Sequence, residues 1–244
     1  APQSSPRTSR PFSATGHDFP LSKTPPSEFN PRQLNAVIEQ AFSEIDPHLP
    51  RHTRAVVIVH KGRLVAERYA PGFSAQTPLP GWSMAKSTVN ALVGILVKEG
   101  KIGLRSPAPI PQWQRPGDPR RQITIEQLLH MSSGLQFDES YRNPLADVIV
   151  MLLGSPGAAA FAIAKPLEAE PGTQWRYSSG TTNVIAYAIR QIVGEAEYLQ
   201  FPRKALFDRI GMGSAVLETD STGIFVGSSF MFATARDWAR MGML

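Results

Sequence analysis

The sequence contains no cysteine, and only 18% of its residues are charged. The absence of cysteine excludes structural disulfides and thiolate chemistry from this chain. The net charge is +5, but the densest basic group, Arg115, Arg120 and Arg121, has no aromatic residues interleaved with it. Nucleic-acid binding needs a basic stripe or patch. The composition therefore predicts no nucleic-acid partner and at most a mild preference for anionic substrates.

Long apolar runs are also missing. The best candidate, residues 145–164, is interrupted by Asp147 and by Ser155-Pro156-Gly157, so the sequence predicts no membrane span. No signal peptide is recognisable, and the chain opens at Ala1 with a stretch rich in Pro, Ser and Thr. Such a start resembles a mature N-terminus left by processing, or an artificial boundary. We expect a periplasmic or secreted protein, and a cytoplasmic location stays open.

The first part of the chain predicts an arm, a helix and a hairpin. Residues 1–29 hold six of the 22 prolines without apolar periodicity, which predicts an extended arm. Asn30-Pro31 then signals the start of a surface helix. The apolar runs 55–60 and 63–70 flank the short turn Lys61-Gly62 and predict a β-hairpin.

Helical patterns dominate the remainder. Thr124 with Gln127 predicts a capping box, a further helix is expected to start near Thr181 or Thr182, and 223–229 is the one further strand candidate. A lone hairpin is marginal in water, so we expect it to need more strands beside it. A helix following residue 82 is predicted to bury Val89, Leu92, Val93, Leu96 and Val97.

Ser83 and Lys86 are spaced for contact at the start of that helix. Residues three apart share one helix face, and the first turn offers backbone N–H groups and partial positive charge that stabilise a serine alkoxide. Lys86 could then accept the proton of Ser83, as an activated nucleophile requires. A helix-capping serine beside a lysine that reaches solvent is the alternative, because S-x-x-K also occurs by chance.

Tyr177 lies in a turn just before another predicted helix. A tyrosine held near a lysine and a helix N-terminus loses its proton more readily than in water. It could then act as a base toward the serine and as an acid toward the leaving group. A packing role for the aromatic ring is the alternative interpretation.

Together these motifs resemble the serine β-lactamase and penicillin-binding protein superfamily. The resemblance lies on the class C side, with its esterases and 6-aminohexanoate-dimer hydrolases. It implies an α+β fold with an antiparallel sheet flanked by helices and an all-helical subdomain. The matching segments run in family order over about residues 34–244: SMAK (83–86), ITIEQLLHMSSGL (123–135), EPGTQWRYSSGTTNVIAYAI (170–189), IGMG (210–213) and ATARDWARMGML (233–244).

The resemblance also implies roles for individual residues. Ser83 would be the acylated nucleophile, Lys86 its proton partner and Tyr177 the base, acting on a small amide or ester without cofactor or metal. Class C β-lactamases have Y-x-N, whereas the third position here is Ser179, a substrate-binding candidate that would not hold a β-lactam side chain through an amide. Tyr141 is a second substrate-binding candidate by resemblance to the dimer-hydrolase branch, with a plain surface aromatic as the alternative.

Family members continue beyond the position of Leu244 with further strands and a third motif that supplies an oxyanion-hole donor. The expectation is an incomplete domain over residues 30–244, with a helix and hairpin in 30–82 and a mostly helical part in 83–244. A second chain or a missing C-terminal segment would complete the sheet. The alternative functions are an inactive or binding-only fragment, a β-lactamase and a D-Ala-D-Ala peptidase.

Other polar residues are predicted to be structural. His130 is expected to hold the turn that follows it rather than to act as a base. Asp138 and Glu139 are interpreted as part of a solvated loop, since no histidine or third acid joins them as a metal ligand. Asp237 is expected to cap or charge the first turn of its helix.

Overall fold

The computed structural model describes residues 29–46 and 48–244. The predicted arm of residues 1–29 lies outside these ranges except for Phe29. In the described part, no helix is both long and apolar enough to cross a membrane. The helices and strands are α1 (Pro31–Phe42), β1 (Ala55–His60), β2 (Arg63–Tyr69), β3 (Pro78–Pro80), α2 (Ala85–Lys98), α3 (Ile125–Leu129), α4 (Asp147–Ile149), α5 (Ala158–Ile163), α6 (Ser179–Val193), α7 (Glu195–Tyr198), β4 (Val216–Leu217), β5 (Met231–Thr234) and α8 (Ala235–Met241). Further helical turns are 3₁₀ at Trp82–Met84, Pro111–Trp113, Pro119–Gln122 and Asp208–Ile210, and π-helical at Val150–Gly154 and Arg203–Phe207.

The predicted hairpin is confirmed. Strands β1 and β2 pair antiparallel from Ala55 opposite Tyr69 to His60 opposite Arg63. The turn Lys61-Gly62 has φ of 48° and 72°, and a two-residue turn with positive φ at both positions matches the twist of the flanking strands. Within the described residues β1 pairs with β2 alone, and all six of its residues are only half-buried.

A second antiparallel sheet was not predicted from the sequence. Its strand order is β3-β5-β4, and the predicted strand at 223–229 is wrong. The three real strands are two to four residues long, too short to show alternation, and β3 carries proline at both ends. Segment 223–229 instead forms a turn, in which the N–H of Ser229 donates to the carbonyl oxygen of Val226 at 3.1 Å.

The helical body is built around α2 and α6, which contact each other. The predicted buried face of α2 is confirmed for Val89, Leu92, Val93 and Leu96, which are each no more than 2% exposed, whereas Val97 is only half-buried. Helix α6 starts at Ser179, two residues before the first predicted position. The cause is Ser178, whose hydroxyl caps the helix by accepting from the N–H of Thr181 at 3.0 Å. That earlier start places Ser179 in the first turn.

Two further local predictions are confirmed, and a third holds in part. The side chains of Thr124 and Gln127 form the reciprocal capping box of α3. The helical stretch near 145–164 is broken, since the π-helical turn ends at Gly154 and α5 begins four residues later. Helix α1 is present but lies shallowly on the body, because its one buried residue is Ile38.

Candidate active site

Ser83 lies in the 3₁₀ turn that leads into α2, not in the first turn of α2 itself. The turn is anchored by Gly81, whose N–H donates to the carbonyl oxygen of Met231 in β5 at 2.8 Å. A Cβ on Gly81 would lie 2.1 Å from the ring of Trp238, so only glycine fits. Trp82 has a φ of +45°, a conformation that costs about 1–3 kcal/mol and is typical of functional sites. These contacts hold the Ser83 side chain at the surface.

Lys86 points into a cluster of three serines. Its Nζ donates to Ser83 Oγ at 3.1 Å, to Ser179 Oγ at 3.1 Å and to the carbonyl oxygen of Ser228 at 3.0 Å. These three acceptors occupy the three donor directions of an ammonium group. The predicted contact between Ser83 and Lys86 is therefore present, and the lysine is half-buried instead of extending into solvent.

Tyr177 covers the lysine. Its ring centroid lies 4.9 Å from Lys86 Nζ, a distance at which the negative face of an aromatic ring attracts a cation. The tyrosine immediately precedes Ser178, the N-cap of α6. Within the described part of the chain, no side chain or backbone group forms a hydrogen bond with its hydroxyl. The structure thus brings Ser83, Lys86 and Tyr177 together and leaves one hydroxyl available to a bound molecule.

The sequence interpretation missed the contribution of Ser228. Its backbone is held by Asn183 on the fully buried face of α6: the Asn183 Oδ1 accepts from the N–H of Ser228 at 3.1 Å, and the Nδ2 donates to its hydroxyl at 3.2 Å. The carbonyl oxygen of Ser228 is thereby directed at Lys86. A signal was present in the sequence, since an amide beside Val184 on an apolar helix face needs a buried partner.

The prediction that Glu139 belongs to a solvated loop is wrong. Its carboxylate accepts from the N–H of Ser179 at 2.7 Å and from the Ser179 hydroxyl at 2.5 Å. The hydroxyl of Tyr141 also donates to it at 3.3 Å. The neighbouring Asp138 is exposed, as predicted, and its side chain only accepts from the N–H of Ser140. No spacing rule connects residues 139 and 179, which are 40 positions apart.

Tyr141 reaches the cluster through Glu139. Partial burial, followed by the negative charge of Glu139, raises the pKa of the Tyr141 hydroxyl. The tyrosine is therefore a neutral hydrogen-bond donor at neutral pH. The residue is 53% exposed, so the second predicted substrate-binding residue lies at the mouth of the site and not inside it.

The mouth is rich in exposed aromatic rings. Trp82 and Trp175 are 51% and 71% exposed, and Trp82 packs edge-on against Phe230 with ring centroids 6.4 Å apart. Aromatic walls with a few polar groups between them are typical of small-molecule sites. In the ranges that the structure describes, no three His, Asp or Glu residues are grouped to hold a metal ion.

Two other predicted structural residues lie away from this cluster. His130 ends α3, where its backbone N–H donates to the carbonyl oxygen of Glu126 at 2.8 Å. Asp237 lies in the first turn of α8, as predicted, although Thr234 is the N-cap; it is buried and also accepts from the N–H and hydroxyl of Ser214 at 2.8 and 2.6 Å. Asp237 therefore fastens β5 and α8 to the loop before β4.

Comparison with known proteins identifies the family of this chain. Residues 40–244 match the family model described as Beta-lactamase. The chain is 25% identical over 203 residues to the 6-aminohexanoate-dimer hydrolase of Paenarthrobacter ureafaciens, a match that covers 79% of this chain and 51% of that protein. The chain thus spans about half the length of the curated relative it matches.

Solved structures share the fold. A Bacillus anthracis protein assigned as a 6-aminohexanoate-dimer hydrolase aligns with a TM-score of 0.68 and 27% identity, over 86% of this chain and 56% of that one. A class C β-lactamase from Rhodobacter sphaeroides aligns with a TM-score of 0.59 and 16% identity, over 86% and 63% of the two chains. The predicted α+β architecture is confirmed.

Proposed function

The chain belongs to the β-lactamase family, and on that premise we propose that it carries the nucleophile of a serine hydrolase that cleaves a small amide or ester. The observation that supports this most strongly is the 3.1 Å contact of Lys86 Nζ with Ser83 Oγ beneath the ring of Tyr177. A serine, a lysine and a phenol with an open hydroxyl at one point are the groups that acyl transfer requires.

In the proposed reaction, Ser83 Oγ attacks the substrate carbonyl carbon, and the Ser83 proton passes to its partner Lys86, 3.1 Å away, and on to Tyr177. The new O–C bond forms an acyl-enzyme, while the C–N or C–O bond breaks and the amine or alcohol leaves with the proton from Tyr177. Water then attacks the acyl carbon, which releases the acid and returns the proton to Ser83. Tyr177 is assigned as base because its hydroxyl is open to a bound molecule and its ring centroid lies 4.9 Å from Lys86 Nζ, beside the nucleophile.

We propose small esters or amides over β-lactams as substrates. Ser179 offers no amide, and its hydroxyl is already bonded to Lys86 and Glu139. The test is kcat/KM for p-nitrophenyl butyrate and for nitrocefin, measured on the full-length protein. We expect the ester to be the better substrate. A larger kcat/KM for nitrocefin would contradict the proposal and support the β-lactamase alternative.

We also propose that 30–244 forms one domain whose sheet is completed by a second chain or by sequence following Leu244. In the described ranges β1 pairs on one side only, and its apolar run is a hazard for aggregation when an edge is left open. Next to β1 lies a cavity of about 620 Å³ lined in part by Val57, Leu79 and Trp238. These features are what an added strand would cover.

This proposal is tested by comparing the esterase rate of the 244-residue chain with that of a version extended by its natural downstream sequence. We expect the short chain to be weakly active or inactive. Equal rates from a monomeric short chain would contradict the proposal. Ester binding without turnover in both forms would identify a binding-only protein. Export from the cytoplasm stays a prediction, which cell fractionation tests.

A further inference from the structure

Two groups around Lys86 can only accept hydrogen bonds. One is the carbonyl oxygen of Ser228, 3.0 Å from Nζ. The other is the Glu139 carboxylate, which acts through Ser179. Since an ionised carboxylate has no proton to donate, the Ser179 hydroxyl hydrogen must point to Glu139, at 2.5 Å. The Ser179 oxygen is then left to accept from Lys86 at 3.1 Å.

These directions restrict the third position on Nζ. Two of its three contacts must be N–H donors, toward Ser228 and Ser179, whether the lysine carries two protons or three. The remaining position faces Ser83 Oγ, which can donate as well as accept. A neutral Lys86 therefore presents its lone pair to Ser83, and a charged Lys86 donates there. Of the three hydrogen bonds of Lys86, only the one with Ser83 can therefore exchange its donor and acceptor.

We propose that Glu139 is a positioning residue that sets this direction. By holding the Ser179 hydroxyl hydrogen, it prevents Ser179 from taking the lone pair of Lys86 and reserves the exchangeable position for Ser83. The inference rests on the proposed function. It gives Glu139, a loop acid that touches neither the nucleophile nor the lysine, an effect on the rate of serine attack.

Glu139 has a second contact that a purely structural role would explain. Its carboxylate also accepts from the backbone N–H of Ser179, at 2.7 Å, in the first turn of α6, where negative charge stabilises a helix. The two contacts involve different donors of Ser179, its backbone N–H and its hydroxyl. Ser179→Ala removes the hydroxyl but keeps the backbone N–H, so it separates positioning from capping.

The experiment is a double-mutant cycle on the full-length protein. A fluorophosphonate probe reports the maximal inactivation rate, kinact, and the apparent affinity, KI, for wild type, Glu139→Gln, Ser179→Ala and the double variant. In Glu139→Gln, the side-chain amide oxygen can still accept from the backbone N–H of Ser179. The NH₂ group of the amide then faces the Ser179 hydroxyl and donates to it, so that the hydroxyl hydrogen turns toward Lys86. We expect Glu139→Gln to lower kinact by roughly tenfold, within the usual range of coupled neighbours, with KI unchanged.

In the Ser179→Ala background the same change should alter kinact by less than about twofold, because the hydroxyl through which it acts is gone. Asp138→Asn, which changes the adjacent exposed acid, is the matched control and should label like wild type. If Glu139→Gln slows the Ser179→Ala protein as much as it slows wild type, Glu139 only caps the helix and the inference is wrong.

Folding and function are separable in this design. Circular dichroism and thermal melting identify a variant that does not fold. Should Glu139→Gln be one, Glu139→Asp takes its place in the cycle, because it keeps the charge but shortens the reach to the Ser179 hydroxyl: a loss of kinact that disappears in the Ser179→Ala background supports the inference, and an equal loss in both backgrounds overturns it. Failure of the wild-type protein to label at Ser83 would contradict the proposed function instead.

Discussion

The cluster around Lys86 and the β1–β2 hairpin differ in how many of their hydrogen-bonding partners lie among the described residues. Lys86 takes its partners from residues 93 and 142 positions away, and every donor direction is filled. The hairpin is formed by residues close in sequence, yet β1 is half-buried along its length and, among the described residues, pairs with one neighbour. Local pattern therefore identifies the hairpin, while long-range contacts complete the cluster. The comparison indicates that the surroundings of Lys86 are preformed within the described residues, whereas completion of the sheet beside β1 stays a proposal.

The largest expected effect comes from breaking the cluster at its centre. Lys86→Met keeps the length of the side chain but removes the three hydrogen bonds to the serines. We expect the rate of Ser83 acylation to fall on the order of a thousandfold, as loss of a positioned proton-transfer group does. The acylation rate is measured on the full-length protein from the pre-steady-state release of p-nitrophenol from p-nitrophenyl butyrate. Lys98→Met, at the exposed end of the same helix, is the control and should stay near wild type; an equal loss in both variants would contradict a specific role for Lys86.

Two helical glycines sharpen the contrast between a packed and an open position. A Cβ at Gly180 in α6 would lie 2.5 Å from the ring of Phe137, which is 3% exposed. Gly180→Ala should therefore destabilise by about 1–3 kcal/mol and disturb Glu139, two residues from Phe137. Gly94 in α2 has open space around it, so Gly94→Ala should stabilise by about 0.5–1 kcal/mol. Urea unfolding measures both, and a stabilising Gly180→Ala would show that the α6 start is loosely packed.

A smaller effect is expected where the hairpin is tied to the helical body. Glu67 in β2 accepts a hydrogen bond from Arg236 in α8 at 2.6 Å, and this bond holds the pKa of Glu67 below its ordinary value of 4.5. Because the folded pKa is depressed, the pair contributes stability above that value, and the contribution is lost as the pH falls through the folded pKa. Glu67→Gln should cost about 1 kcal/mol at neutral pH.

The pH dependence provides the check on that pair. The stability difference between wild type and Glu67→Gln should shrink as the pH falls below 4.5, the ordinary pKa of the carboxyl group, and disappear once the pH is below the lowered pKa of the folded state. Glu39→Gln, which removes the exposed partner of Arg68, should leave stability within experimental error of wild type. If Glu67→Gln lowers the stability equally at acid and neutral pH, the stability of the contact does not depend on the charge of Glu67 and the prediction is wrong.

Local chemistry explains which features the sequence could predict. Positive φ at Lys61-Gly62 and the reciprocal bonds of Thr124 and Gln127 depend on neighbours within a few residues, so both were predictable. The contact of Glu139 with Ser179 arises from the packing of the loop before α4 against α6, which no spacing encodes. Family resemblance predicted the grouping of Ser83, Lys86 and Tyr177, but not the acceptors that orient the lysine.

Labelling of the nucleophile tests the central claim most directly. The full-length protein is incubated with a fluorophosphonate probe, digested, and the modified peptide is located by mass spectrometry. The account predicts one adduct, on Ser83, that is absent from Ser83→Ala. An adduct on Ser132, Ser178 or any other serine, or no adduct on a folded protein, would contradict it.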